Sequence, residues 1–364
     1  MANEMEKDQE ELGKLREGID ALDAQVLQLL SQRAQLAQRV GTIKHGNIYR
    51  PEREAQVLRR IAELNPGPLP EAAVRTIFRE VMSACLALEQ PLRIAYFGPA
   101  GTFTESAAKK HFGSAPTFTP FLTIDDVFRA VESGQADYGV VPVENSTEGS
   151  VGRTLDLMLT SPLMICGEVN LRIHQNLMTR AASLDGVKRL YSHAQSLAQC
   201  HEWLNRNLAH VARVPVASNA EAARMAAQDP EACAIAGEAA ARLYELNILA
   251  ANIEDDPNNT TRFIALAGHD AGPSGHDKTS FVCSAQNKPG AVHDLLTPLK
   301  THGVSMSRFE SRPARGFGNS RWEYVFFVDI EGHRQDAKLA AALDDLRGCV
   351  GFLKELGSYP KAGN

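Results

Sequence analysis

The 364-residue sequence contains no run of 18 apolar residues, so no stretch reads as a helix that crosses a membrane. Its six cysteines (Cys85, Cys166, Cys200, Cys233, Cys283 and Cys349) stand singly, with no Cys-x-x-Cys pair. That argues against a disulfide framework and a structural zinc site. The chain lacks both Gly-x-Gly-x-x-Gly and the Gly-Lys-Ser/Thr of a phosphate-binding loop, which counts against a nicotinamide or nucleotide cofactor. A net charge of −6 leaves no basic footprint for nucleic acid. The start, "MANEMEKDQEELGKL", is acidic and polar, unlike a secretory signal. From these absences we expect a cytoplasmic protein that uses no metal or organic cofactor and binds neither nucleic acid nor membrane.

What is present is ordinary globular composition, 44% hydrophobic and 23% charged, in a chain long enough for two or three domains. Three textures follow one another. Residues from about 6 to 90 contain no convincing strand. Residues 92–268 alternate short β-rich runs with alanine-rich helical stretches. "GHDAGPSGHDK" (268–278) reads as a linker. The order after it, strand–helix–strand–strand–helix–strand over 279–357, is the ferredoxin-like α+β pattern. We therefore expect an all-α domain at 1–91, a two-lobed α/β domain at 92–271 and an α+β domain at 277–360.

The first helix carries a seam. Leu12, Leu15, Ile19, Leu22, Val26, Leu29, Arg33, Leu36, Val40 and Ile43 are spaced alternately three and four apart, which implies packing against other helices. Arg33 is the exception in the seam: a register-setting polar residue, a side chain that reaches outward, or part of a buried anion site. Lys44 lies eleven residues on, a net rotation of roughly 20°, so both cations share a face. Arg16 is roughly 260° around from Arg33 and can serve the same site only from a second copy of the helix, which implies a dimer. "YRPERE" (49–54) opens the next helix, with Pro51 at a first helical position and Arg53 and Glu54 bordering the face of Val57, Leu58 and Ile61. The third helix aligns Phe78, Val81, Cys85 and Glu89. A carboxyl on that apolar face should titrate high and donate a hydrogen bond, unless the helix end leaves it exposed.

The runs "LREGIDALDAQVLQLLSQRAQLAQRVGTIK", "YRPERE" and "REVMSACLALEQP" resemble the all-helical chorismate mutases over residues 10–90. The resemblance implies that Arg16 of a partner chain and Arg33 hold carboxylates of chorismate. It further implies that Lys44 and Glu89 donate to the ether oxygen, Arg53 orders the site and Glu54 takes the substrate hydroxyl. Such a rearrangement needs a held conformation and positive charge, not a covalent catalyst. Glu89 departs from relatives that carry glutamine, and Arg50 stands where relatives often have an acid; Arg50 receives no role.

In the central segment, "LRIAYFGPAGTFTESAA" (92–108) reads strand, turn, helix, with Thr104 as N-cap and nearby backbone N–H groups able to hold a carboxylate. "YGVVPVENSTEGSVGRTLDLM" (138–158) sends Glu144, Asn145 and Ser146 off the end of a buried strand, where α/β sheets commonly bind ligands. Turn and cap chemistry would account for Asn145 and Ser146 equally well. "RLYSHAQSLAQC" (189–200) repeats the layout with Ser192, His193 and Gln195, and Glu238 stands at another strand-to-helix junction. "NNTTRFIALA" (258–267) ends the segment. Together these runs resemble the prephenate dehydratases, which implies a fold like the type II periplasmic-binding proteins with substrate between two lobes. By that resemblance Thr261 donates a proton to the leaving hydroxyl, with Thr260 as its support. Glu144, Asn145, Ser192 and Gln195 line the cleft, and Arg262 orients the substrate or the threonine. Ala194 stands where the family usually has proline.

"KTSFVCSAQNKPGAVHDLLTPLKTHGVSMSRFESRP" (278–313) resembles a phenylalanine-sensing ACT domain. That implies an L-phenylalanine site formed by Asn287, Pro289, Gly290, Ala291 and Val292 with Glu310, Ser311 and Arg312, between paired domains. The substrates implied are chorismate and prephenate, with L-phenylalanine as inhibitor and a homodimer or tetramer as the assembly. Three other readings stay open: a mutase fused to a dehydrogenase, against which the missing Gly-x-Gly-x-x-Gly counts; a solute-binding protein; and a dehydratase for arogenate.

Overall fold

The computed structural model describes residues 2–43, 49–285, 288–313 and 324–363. Lys44 and Asn287 lie outside the described residues.

Helix α1 (Ala2–Ile43) is a single 42-residue rod. Its seam is largely uncovered: Leu12 is 50% exposed, Ile19 56% and Leu29 63%. Helices α2 (Pro51–Leu64) and α3 (Glu71–Ala87) pack on each other and against the next domain. Pro51 occupies the first turn of α2, as its missing N–H allows. The anchor is specific. Tyr49 joins the core of Ile94, Tyr96, Phe112 and Tyr138, and the Ser83 hydroxyl donates to the Phe112 carbonyl at 2.7 Å.

The first lobe is a mixed sheet built from β1 (Arg93–Phe97), β2 (Thr117–Phe121), β3 (Tyr138–Asn145), β4 (Gly149–Ser150) and β5 (Met164–Arg172). Helices α4 (Phe103–Phe112), α5 (Ile124–Glu132) and α6 (Gly152–Thr160) pack on it. The chain then crosses to a second sheet of β6 (Asn176–Thr179), β7 (Arg189–His193), β8 (Ala212–Val216), β9 (Ala232–Ala236) and β10 (Asn247–Ala250). This lobe carries α7 (Ala194–Gln199), α8 (His201–Asn207), α9 (Asn219–Ala226) and α10 (Glu238–Leu243). Strand β11 (Thr260–Ala267) returns and inserts between β3 and β5, antiparallel to both, giving the order β2-β1-β3-β11-β5. The stretch "NNTTRFIALA" thus carries the chain back from the second lobe to the first.

The C-terminal domain runs β12 (Asp277–Ser284), α11 (Ala291–Thr301), β13 (Met306–Pro313), β14 (Tyr324–Glu331), α12 (Ala337–Cys349) and β15 (Phe352–Pro360). The antiparallel order β13-β14-β12-β15 is the ferredoxin-like arrangement. Strand alternation splits its side chains. Phe281, Cys283, Phe326, Val328 and Ile330 face α11 and α12, whereas Val282, Val325, Phe327, Leu356 and Tyr359 merge with the first lobe's core. Each apolar side chain so buried is worth roughly 1.5–3 kcal/mol relative to exposure. Gly357, at φ +141°, passes so close to β5 that a Cβ there would lie 2.2 Å from the Ile165 carbonyl oxygen.

No helix among the described residues is long and apolar enough to cross a membrane.

Candidate active site

The two lobes enclose a cavity of about 610 Å³ whose polar wall is organised by Asn145 at the end of β3. Its Oδ1 accepts from the Thr147 N–H (3.0 Å), the Thr147 hydroxyl (2.6 Å) and the Glu148 N–H (3.0 Å). Three donors on one oxygen fix the orientation of the amide. Its Nδ2 then donates to Asn259 Oδ1 and to Thr261 Oγ1, both at 2.8 Å. Register places Thr261 directly across from Asn145. The Thr261 oxygen is therefore an acceptor toward the protein. Its own proton meets no acceptor among the described residues and is available to the cleft.

The second lobe contributes another network. Asn219 accepts from the Ser192 hydroxyl (3.2 Å) and the His193 N–H (3.0 Å) and donates to Ser196 Oγ (2.7 Å). Gln175 also donates to Ser196 Oγ, at 3.0 Å. Gln195 lines the cavity and makes no side-chain hydrogen bond among the described residues. Phe97, Phe103 and Phe263 supply apolar wall.

Of the residues expected in this cleft, Thr104, Asn145, Gln195 and Thr261 line it. Thr104 is buried inside α4 and does not cap it; the N-cap is Thr102, whose side chain accepts from the Glu105 N–H. Ser192 is fully buried behind the wall and acts on Asn219. For the strand residues Glu144, Thr260 and Arg262 the expectation fails because of the two-residue period of a strand. Arg262 and Glu144 point away from the cleft, toward the C-terminal domain. Arg262 reaches Glu168 (2.8 Å), Asp329 (2.6 Å) and the Tyr359 hydroxyl (2.8 Å), and Glu144 pairs with Arg308 at 3.2 Å. Thr260 likewise turns from Thr261: its hydroxyl donates to the Asn258 carbonyl, and its N–H donates to the exposed Ser146. Asn145, not Thr260, supports the catalytic candidate. Glu238 is exposed at the start of α10 and pairs with Arg242.

The Arg262 cluster is strongly coupled. Burial would lower the guanidinium pKa, but Tyr359, Asp329 and Glu168 hold it above its ordinary value. Burial would raise the Asp329 carboxyl, yet Arg262 and the Ser280 hydroxyl keep it below the usual range. Lys278 completes the set, 2.8 Å from Glu168. Sequence reasoning missed Asn259, Gln175, Ser196 and Asn219. Asn259 sits inside "NNTTRF", but a strand's lead-in gives no signal that its amide turns inward.

In the helical segment, Arg33 Nη1 lies 3.0 Å from Cys85 Sγ on α3. Glu89, in the turn that follows α3, is nestled against Gly41, where a Cβ would lie 2.7 Å from Glu89 Oε2. That oxygen is buried without a hydrogen-bond partner. Arg33 and Glu89 thus both lie between α1 and the C-terminal end of α3, at contacts eight residues apart along α1. Arg16 and Arg53 are exposed. Glu54 does not join Arg33 on the same chain: it lies 3.6 Å from Arg79, in a separate hollow that also contains Lys110 and Glu168. Burial pushes the Glu54 carboxyl up to about 7, against the pull of Arg79.

At the C-terminal candidate site, Gly290 adopts φ +83° as the N-cap of α11, a left-handed conformation that favours glycine. Pro289, Gly290 and Val292 are exposed and Ala291 is half-buried. Glu310 accepts from Ser150 and Arg308, and Arg312 pairs with Asp156 at 3.2 Å, so both face the first lobe. Ser311 alone of the three is exposed.

Models of three families match in succession: Chorismate mutase type II over residues 15–90, Prephenate dehydratase over 94–271 and ACT domain over 279–348. A Neisseria gonorrhoeae protein named bifunctional chorismate mutase/prephenate dehydratase is 55% identical over 351 residues, covering 95% of this chain and 96% of that one. The chain belongs to this bifunctional family. A family member from Pseudomonas aeruginosa is 49% identical, covering 98% of this chain and 99% of its own. Among solved structures, the prephenate dehydratase of Arthrobacter aurescens in complex with L-Phe aligns with a TM-score of 0.68 at 34% identity, covering 74% of this chain and 90% of that one.

Proposed function

We propose that the chain converts chorismate to prephenate in its helical domain (1–91) and prephenate to phenylpyruvate in its two-lobed domain (92–271). Its ferredoxin-like domain (277–360) reports L-phenylalanine as a feedback inhibitor. The observation that carries the dehydratase reading is the Thr261 hydroxyl, whose oxygen is held by Asn145 and whose proton faces the cleft. In the reaction the bond from ring to carboxylate breaks, releasing carbon dioxide, and its electron pair enters the ring. That pair forms a ring π bond and the existing ones shift, so the ring carbon–oxygen bond breaks with its own pair leaving on the oxygen and the ring becomes aromatic. Thr261 supplies the proton that makes the departing group water, and solvent restores the threonine proton. A neutral donor suits a leaving group of hydroxide basicity. Gln195, which lines the cavity without a side-chain partner among the described residues, meets the pyruvyl end.

For the mutase, Arg33 binds a substrate carboxylate and Glu89 donates to the ether oxygen, with Lys44, Arg53 and the partner's Arg16 completing the site. The uncovered α1 seam supports a homodimer, or a tetramer built from two, since another apolar helix is what such a stripe requires. Phenylalanine then binds where the N-terminus of α11 and Ser311 remain open. We place the protein in the cytoplasm. Purified protein given chorismate alone should form phenylpyruvate with no added cofactor, followed by absorbance and chromatography. Accumulation of unchanged prephenate would remove the dehydratase assignment.

A further inference from the structure

Asn259 is 2% exposed and lines the cleft, yet its Nδ2 is a buried donor with no partner. The orientation of this amide follows from the chain of bonds before it. Asn145 Oδ1 is saturated by three donors, so Asn145 Nδ2 must be the group facing Asn259. Only Asn259 Oδ1 can accept from it, which leaves Asn259 Nδ2 free. A buried N–H of this kind is costly unless something arrives to accept from it. The backbone around it is fixed: the Asn259 carbonyl accepts from the Ile173 N–H at 2.9 Å, tying together the two crossovers between the lobes.

The two hydrogens of one Asn145 amine go to Asn259 Oδ1 and Thr261 Oγ1. The two side chains are therefore neighbours in the cleft wall, the Thr261 proton without an acceptor and the Asn259 Nδ2 enclosed without one. Resting on the dehydratase reading, we propose that Asn259 is a substrate-binding residue whose Nδ2 hydrogen-bonds the leaving ring oxygen beside the Thr261 hydroxyl. The oxygen gains negative charge as its bond to the ring breaks. A preorganised neutral donor there stabilises that charge more than it stabilises the bound substrate. Because the donor is uncharged, it does so without retaining the carboxylate that must depart.

The test compares Asn259→Asp and Asn259→Ala in the full-length protein, with prephenate turnover, chorismate turnover and competitive inhibition by phenylpyruvate measured for each. Asn259→Asp keeps the acceptor for Asn145 but replaces the free donor with an acceptor. Donation to the leaving oxygen requires a dehydratase kcat at least 100-fold below wild type in both variants, with aspartate the worse of the two. Chorismate turnover stays within threefold of wild type. Phenylpyruvate, which lacks the leaving oxygen, should inhibit Asn259→Ala with a Ki within threefold of wild type. If Asn259 only props up Asn145, the order reverses and aspartate outperforms alanine, or the phenylpyruvate Ki rises along with the loss of kcat. Either result overturns the proposal, as does near-normal kcat in the alanine variant. Should the aspartate protein not fold, the split between kcat and Ki in Asn259→Ala decides alone. Wild-type protein that fails to turn over prephenate would instead remove the underlying dehydratase reading.

Discussion

Thr261 gains its character from a neighbour that accepts nothing from it. With Asn145 donating to its oxygen, the hydroxyl has one direction left for its proton, and that direction is the cleft. Thr261→Val keeps the shape and removes the proton. We expect prephenate dehydration to fall roughly 100- to 10,000-fold, the usual range for a positioned proton donor, with chorismate turnover unchanged in the same preparation. A second residue-scale prediction concerns Glu54. Its carboxyl titrates at about 7 in the folded protein and near the ordinary 4.5 when unfolded, because burial disfavours the charged form. The folded state therefore binds more protons between those values. The stability this contributes is full below the lower pKa and is lost as pH rises through the upper one. Glu54→Gln removes the dependence. From pH 5 to pH 8 the variant should gain about 1–3 kcal/mol on wild type in urea unfolding; the side chain is still 17% exposed, so the upper figure is a ceiling. Parallel pH profiles would count against a buried carboxyl.

At the scale of elements, the tightest joint is β15 against β5. Gly357→Ala would push a Cβ into the Ile165 backbone at a φ that side chains rarely adopt. One strand or the other must shift, at roughly 2–4 kcal/mol, visible as a lower urea midpoint. Wild-type stability in this variant would mean that the strands are not apposed as described. Sequence made much of the element order legible. The seam of α1 and the strand–helix–strand–strand–helix–strand C-terminal pattern follow from periodicity and turn chemistry, whereas the return of β11 follows only from the two-lobed fold that the resemblance implies. The side-chain directions in the cleft were legible only in part. Motif resemblance treated "TTRF" and "VEN" as blocks that enter the cleft together, whereas a strand sends alternate residues to opposite faces. Thr261 and Asn145 went to the cleft, and Arg262 and Glu144 to the C-terminal sheet. Asn259 and Asn219 were illegible because their roles depend on contacts made across more than twenty residues of intervening chain.

For the whole molecule, two surfaces govern behaviour. The α1 seam is apolar and open along most of its length, so if the proposed homodimer forms there, Leu22→Glu with Leu29→Glu should yield a smaller species by sedimentation. Mutase activity should be lost with it, since Arg16 would no longer reach a partner's site. Unchanged mass in that double variant would assign the assembly to another face. The second surface is the back of the first lobe, where Val282, Val325, Phe327 and Leu356 share its core. Deleting residues 278–364 would therefore expose that core and strip Arg262 of Asp329 and Tyr359. Feedback by phenylalanine is better tested with point changes at Ser311 or Val292, which leave that joint intact.

Strand β11 belongs to two domains at once. Thr261 serves the cleft, while its immediate neighbour Arg262 is bonded into the sheet behind it. Exchange of regulatory domains between relatives thus has a natural seam that differs from the boundary of either matched family. A chimera cut in the linker at 268–278 would mate a foreign sheet to a resident arginine. One that carries β11 along with the sheet would keep Arg262 with Asp329 and Tyr359, leaving its pairing with Glu168 of β5 to be remade.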